Sequence, residues 1–178
     1  AGQVGGGRTT RVGVTAHTLE EFLGQARYGR ERDIPAGQVG MALGLAWTEH
    51  GGELLPVEVV TMPGRGSLTL TGRLGEVMRE SAQAALTWVR SRAAALGIDP
   101  YFFDTHDIHL HVPAGAVPKD GPSAGVTLAV ALTSLLADIP VCPDVAMTGE
   151  LTLRGRLLPA GGVKGMVLSS EPASAVKM

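Results

Sequence analysis

The chain has 178 residues, 44% hydrophobic and 18% charged, so it is long enough for one moderate core and a short appended piece. Fifteen basic residues against 17 acidic ones give a formal charge of −2, and without a long basic run they leave no nucleic-acid footprint. No apolar run reaches transmembrane length, the start does not read as a signal peptide, and the single cysteine, Cys142, excludes an internal disulfide framework and fits a reducing compartment. Ala1 in place of Met points to a cut or processed end.

In chain order, residues 1–10 are Gly-rich and read as loose. Thr18 and Glu21 have capping-box spacing and predict a brief helix through Phe22 and Leu23. Residues 28–40 are charged and Gly-rich, like a linker, and the best domain boundary falls near 35–40. Residues 39–48 and 53–62 then read as strands, with Leu55, Val57 and Val59 on one parity. Pro63-Gly64-Arg65-Gly66 turns the chain into a short strand over 67–71. Residues 74–96 carry the clearest helical stripe, Leu74, Val77, Met78, Ala85, Trp88, Val89 and Leu96, stopped by Gly97. Asp107-Ile108-His109-Leu110-His111-Val112 alternates strictly, as a half-buried strand does. Residues 123–136 form a small-residue apolar helix buried on most sides, and 145–158 resembles a hairpin bent at Gly149 and Gly155. Strands and helices mix without a regular βαβ beat, which predicts an α+β or irregular mixed α/β fold.

One stretch carries chemistry: Pro118-Lys119-Asp120-Gly121-Pro122-Ser123-Ala124-Gly125. Gly121 permits a sharp turn and Pro122 suits a first helical position. Asp120 holds the turn or caps the helix. Ser123 then stands at a helix mouth, where amides around Pro122, Ser123 and Ala124 form a candidate oxyanion region. The plainer reading is a serine used only for capping, with Gly125 there for helix packing.

A serine nucleophile needs a base. His109 or His111 would serve in a histidine arrangement, oriented by Asp104, Asp107 or Glu58. Being two apart on a strand, the histidines share a face, and they line a cleft or, more plainly, face a partner. As zinc ligands they need a third group, such as His106 or Asp104, whose spacing nothing fixes, so no metal site is expected. The other candidate base is a lysine kept neutral by apolar surroundings. Lys164 follows a turn at Pro159-Ala160-Gly161-Gly162-Val163, whereas Lys119 is too close to Ser123 across a constrained turn for an easy dyad. Gly161-Gly162-Val163-Lys164 lacks the spaced glycines and the Ser/Thr of a phosphate loop, so no nucleotide cofactor is expected in this piece.

From about residue 37 to 162 the sequence resembles the proteolytic domain of the Lon family of ATP-dependent proteases. The blocks that carry the resemblance, in order, are Gly64-Arg65-Gly66-Ser67-Leu68-Thr69-Leu70-Thr71-Gly72, Leu74-Gly75-Glu76-Val77-Met78-Arg79-Glu80-Ser81, Asp107-Ile108-His109-Leu110-His111-Val112-Pro113, the Ser123 block, and Met147-Thr148-Gly149-Glu150-Leu151-Thr152-Leu153-Arg154-Gly155. The resemblance implies small sheets packed with helices. It makes Ser123 the nucleophile, Thr148 a hydroxyl that helps hold a catalytic lysine, and Glu58, His109, His111 and Asp120 supporting residues. Residues 1–36 would be a linker and the end of an ATPase module, and 37–178 the peptidase domain. It further implies a cytoplasmic, hexameric quality-control machine that unfolds polypeptides with ATP and Mg held in that other module.

The family runs Gly-Gly, an apolar residue, Lys-Glu-Lys, and its second lysine is catalytic. Here Gly161-Gly162-Val163-Lys164-Gly165-Met166 leaves the first lysine at Lys164 and places Met166 at the catalytic position. A thioether does not take a proton at neutral pH, so Ser123 lacks its usual activator, with Lys164 a weak substitute two residues away. Pro172 interrupts any helix in the tail, where the family's last elements are expected to be truncated or altered. Two functions follow: a serine endopeptidase domain with impaired chemistry, or a non-catalytic domain that packs in a ring or binds peptides.

Overall fold

The computed structural model describes residues 38–48, 51–113 and 119–161. All of them lie in one compact unit, Arg32–Met178. The brief helix expected near Thr18, the loose start, most of the linker, Lys164, Met166 and the tail lie outside the described residues.

The alternation read from the sequence becomes a mixed five-stranded sheet of β1 (Met41–Thr48), β2 (Gly51–Pro63), β3 (Leu68–Thr71), β4 (His106–His111) and β5 (Ala146–Met147), in the order β3-β4-β2-β1-β5. β2 is antiparallel to both β1 and β4, while β3 and β5 pair in parallel with β4 and β1. Each turn of the pleat sends Leu55, Val57 and Val59 of β2 and Ile108 and Leu110 of β4 to one face, where all are buried. The opposite parity carries Glu58, Val60 and Met62, with Val60 57% exposed. A smaller apolar cluster, Leu43, Leu45, Leu54 and Ala146, gathers around β1.

Two helices cover the core face. α1 (Glu76–Ser91) buries Met78, Ala82, Ala85 and Val89, spaced three to four apart as an amphipathic helix requires. The expected stripe over 74–96 needs two corrections. Val77 is 43% exposed, and Ala82, which the stripe omitted, is fully buried. The helix also stops at Ser91 and yields to a 3-10 turn, Ala93–Leu96, closed by Gly97 in the left-handed region at φ 72°. A four-residue helix, α2 (Phe102–Thr105), precedes β4 and is too short to leave a periodic signal.

The last helix, α3 (Gly125–Ala137), buries Gly125, Thr127, Leu128, Ala129, Ala131, Leu132 and Ser134, as expected of an apolar helix with small residues. It contacts α1 on one side and β1 and β2 on the other. Small residues permit that close approach. A β-carbon on Gly44 of β1 would sit 3.0 Å from Thr127 Oγ1. Leu128 and Leu132 are fully buried, each worth about 1.5–3 kcal/mol in transfer free energy. The two buried hydroxyls are satisfied: Thr127 Oγ1 donates to Met147 O at 3.1 Å, and Ser134 Oγ donates to Ile139 O at 2.6 Å while accepting from Gly40 N–H.

The expected hairpin over 145–158 is corrected. β5 joins β1 in the main sheet, and the hairpin is β6 (Glu150–Leu151) with β7 (Leu157–Leu158). Gly155 bends it at φ 82°, against the Trp88 indole, where a β-carbon would lie 2.5 Å from Nε1. Gly149 is no hairpin bend: it joins β5 to β6 beside the Ser123 turn.

Candidate functional site

Ser123 lies in a 3-10 turn, Pro122–Ala124, that runs directly into α3. Pro122 opens the turn with its fixed φ, and Gly121 before it adopts φ 131°, a backbone that side chains rarely take. Ser123 is half-buried between a buried Ala124 and an exposed Pro122. The turn contacts α1, β1 and β6.

Its main chain is held from two sides. Gly149 N–H donates to Ser123 O at 2.7 Å, Thr148 Oγ1 donates to the same carbonyl at 3.4 Å, and Val126 N–H donates to Gly149 O at 3.1 Å. From the α1 side, Ser81 Oγ donates to Pro122 O at 3.4 Å. Gly125 lets these parts meet, since a β-carbon there would lie 2.7 Å from Leu151 N and 3.1 Å from Ser81 Oγ. Thr148, a sequence candidate, is thus next to Ser123 through the backbone. The sequence reads Gly125 as a helix-packing residue and Gly149 as a hairpin bend, and signals Ser81 only by its place in the block that starts at Leu74.

The amides near the serine are partly committed. Pro122 has no N–H, Gly125 N–H turns back to Pro122 O, and Val126 N–H goes to Gly149. Pro122 therefore shapes the candidate oxyanion region but supplies no donor to it.

Asp120 holds the turn in an unexpected way. Its Oδ1 accepts Gly121 N–H at 2.9 Å and also Met78 N–H at 3.0 Å, at the third position of α1. The carboxylate caps α1, not the helix that follows it in sequence. The N-cap position of α1 is Gly75, which has no side chain to cap with, and a β-carbon there would run into the Asp120 carboxyl.

The sheet gathers a second polar group. Thr71 Oγ1 lies 2.9 Å from His109 Nε2 and 2.6 Å from His111 Nδ1, and Glu58 sits directly opposite His111 in the β2–β4 register. These side chains share the sheet face opposite to the one that Leu110 and Val57 bury against the helices. The fold therefore brings Glu58, His109, His111 and Thr71 together, and places Ser123 in the helix layer on the other side. Thr71 was not singled out in the sequence because a strand threonine has an ordinary structural reading.

The other acidic candidates are occupied. Asp107 accepts the N–H groups of Arg65 and Ser67 at 2.7 and 2.8 Å, and the Arg65 amide, then the Ser67 amide, holds its carboxyl below the ordinary carboxylate range. Asp104 lies 4.0 Å from Arg90 at the surface. His106 stacks on Phe102 with centroids 4.3 Å apart and accepts or donates within 2.9 Å of Thr105 Oγ1. Among the described residues, no group of three or more His, Cys, Asp or Glu is placed to hold a metal ion, and no helix is long and apolar enough to cross a membrane.

Fold and turn together define a mixed α/β domain of small sheets and helices built around a serine-bearing helix mouth. Over residues 13–178 the chain matches the family model described as the Lon protease (S16) C-terminal proteolytic domain, and it belongs to that family. It is 55% identical over 178 residues to "Lon protease" of Syntrophomonas wolfei, covering 100% of this chain and 22% of the relative. It is 57% identical over 168 residues to "Lon protease" of Brevibacillus choshinensis, covering 94% and 22%. To "Lon protease" of Aquifex aeolicus it is 57% identical over 160 residues, covering 90% and 20%. The chain thus spans about a fifth of the length of the curated relatives it matches.

Proposed function

We propose that the chain is the serine endopeptidase domain of an ATP-dependent protein-degrading machine, with Ser123 as nucleophile and with chemistry impaired because Met166 stands where the family has its catalytic lysine. The observation that carries this reading is the clamped backbone of Ser123, whose carbonyl takes two donors from Thr148 and Gly149 at the mouth of α3. A fixed main chain of that kind presents one hydroxyl in one place, which positional catalysis requires. The family match supports the same assignment.

In the reaction, Ser123 Oγ attacks a peptide carbonyl carbon and its proton passes to a neutral lysine amine. The oxyanion is held by main-chain N–H groups, first that of Ser123 and next that of Ala124. The C–N bond then breaks, the lysine returns the proton to the leaving amine, and water releases the acyl group. Thr148 would hold the lysine as well as the Ser123 carbonyl. Glu58, His109 and His111 would support the site from the sheet, and Asp120 from the entry of α1. Met166 takes no proton, and Lys164, two residues before it in the sequence, is a weak substitute.

In this reading residues 1–36 are linker and the end of an ATPase module, and 37–178 the peptidase domain. ATP and Mg act in that module, the substrates are unfolded polypeptides, and the working form is a cytoplasmic homohexamer. A peptide carrying a serine-reactive electrophile tests the nucleophile: acylation should fall on Ser123 and vanish in Ser123→Ala. Peptide cleavage, measured beside it, tests turnover.

Met166 itself favours a second reading, a ring-forming or peptide-binding domain without catalysis. It predicts peptide binding with no acylation of Ser123.

A further inference from the structure

We infer that Lys119 is a positioning residue for the Ser123 reaction: its ammonium ties the end of the histidine strand β4 to the segment that leads into the nucleophile turn. The inference rests on the serine peptidase reading above.

Lys119 joins three parts of the fold. Its Nζ donates to Pro113 O at 2.8 Å, at the point where the chain leaves β4. Just before it, Val112 N–H donates to Thr71 O at 3.1 Å, so the carbonyl that Lys119 grips continues the strand whose His111 meets Thr71. Its own main chain forms a parallel bridge with Leu74: Lys119 N–H donates to Arg73 O at 3.3 Å, and its carbonyl accepts Gly75 N–H at 2.8 Å. The next residue, Asp120, caps α1, and Ser123 follows three residues later. The main chain of Lys119 thus fastens the approach to the nucleophile to the start of α1, and its side chain adds the tie to the end of β4.

The side chain is costly as a stability device. It is half-buried, and loss of solvent lowers its pKa below that of an ordinary lysine, while the nearby Glu53 on β2 opposes that shift. A folded pKa below the unfolded one means that the charged form is disfavoured by folding at neutral pH. A methionine of similar length would keep the packing without that cost but would give up the hydrogen bond to Pro113 O. What the ammonium adds at this place is the hydrogen bond to Pro113 O, and removing it should cost rate more than stability.

The test uses the full chain carrying Met166→Lys, with Lys119→Met and Lys119→Arg added separately and a fluorogenic peptide as substrate. Lys119→Met is expected to lower kcat about tenfold or more, the size of effect that slight misplacement of reacting groups produces, with KM and the thermal midpoint held. Lys119→Arg, which keeps charge and donors, is expected to recover most of the rate. A Lys119→Met chain with unchanged kcat, or one that loses kcat, KM and thermal midpoint together without recovery by arginine, overturns the inference. Amide exchange in the chain without Met166→Lys separates this from a failure of the peptidase reading. Faster exchange at Val112 and Gly121 in Lys119→Met, restored in Lys119→Arg, shows the tie whether or not Ser123 reacts. Unchanged exchange at both amides removes it.

Discussion

Ser123 and Gly149 are bound main chain to main chain: the Gly149 N–H reaches the Ser123 carbonyl at 2.7 Å, and the Gly149 carbonyl takes Val126 N–H in the first turn of α3. The link joins the mouth of the central helix to the chain between β5 and β6. It explains why a buried residue with extended, positive-φ backbone stands at 149. Anything that moves the β6–β7 hairpin should move Ser123 with it.

Gly125→Ala tests that coupling. Alanine in place of glycine inside a helix normally gains up to about 1 kcal/mol. Here the new methyl would lie 2.7 Å from Leu151 N, and backbone does not give way as a side-chain end does. Overpacking of this kind costs about 1–3 kcal/mol, so the net effect should be a loss of stability. Urea unfolding of both chains gives the sign. The amide exchange of Gly149 and Leu151 should rise in the variant.

Asp120→Ala removes a cap that α1 cannot replace, because Gly75 offers no side chain. The expected cost is about 1 kcal/mol, with Asp120→Asn losing less because an amide oxygen still accepts from Met78 N–H. The carboxylate is exposed, so the larger consequence is for the turn before Ser123. Thermal melts of the three chains should rank native, Asn, Ala. An alanine variant as stable as the native chain would show that the cap carries no weight.

The pH dependence of the 64–67 turn follows from Asp107. Its carboxyl is held below its ordinary value by the Arg65 and Ser67 amides, so its stabilising contribution is complete above the unfolded value, near 4, and is lost as pH falls through the lower folded value. Asp107→Asn should therefore be less stable than the native chain at neutral pH, and the gap should close as the solution is taken below about pH 4. Denaturant midpoints across that range check the sign. A gap that widens on acidification would contradict it.

Much of this fold is written in local patterns. The parity of Leu55, Val57 and Val59, the alternation through His109 and His111, and the small residues of α3 each follow from one element burying one face. What escaped the sequence depends on pairs far apart in the chain. Asp120 reads as a cap for the helix after it because nothing local shows Gly75 of another element standing beside it. Residues 145–158 read as a hairpin because Gly149 and Gly155 punctuate them, yet β5 is taken by the parallel edge of β1. The same limit applies to the site. Ser123 stands out through its Pro and Gly neighbours, whereas Thr71 and Gly149 acquire meaning only from the residues that the fold brings to them.

We propose Ser123 as a nucleophile that lacks its proton acceptor. Restoring the family residue with Met166→Lys, in the full chain and with folding checked by circular dichroism, tests it most directly. Cleavage of a fluorogenic peptide should rise by about a hundredfold or more, the usual weight of a positioned general base, and Ser123→Ala in the same chain should abolish it. A folded Met166→Lys chain that cleaves no faster than its parent, or one whose cleavage survives Ser123→Ala, would rule out that role for Ser123.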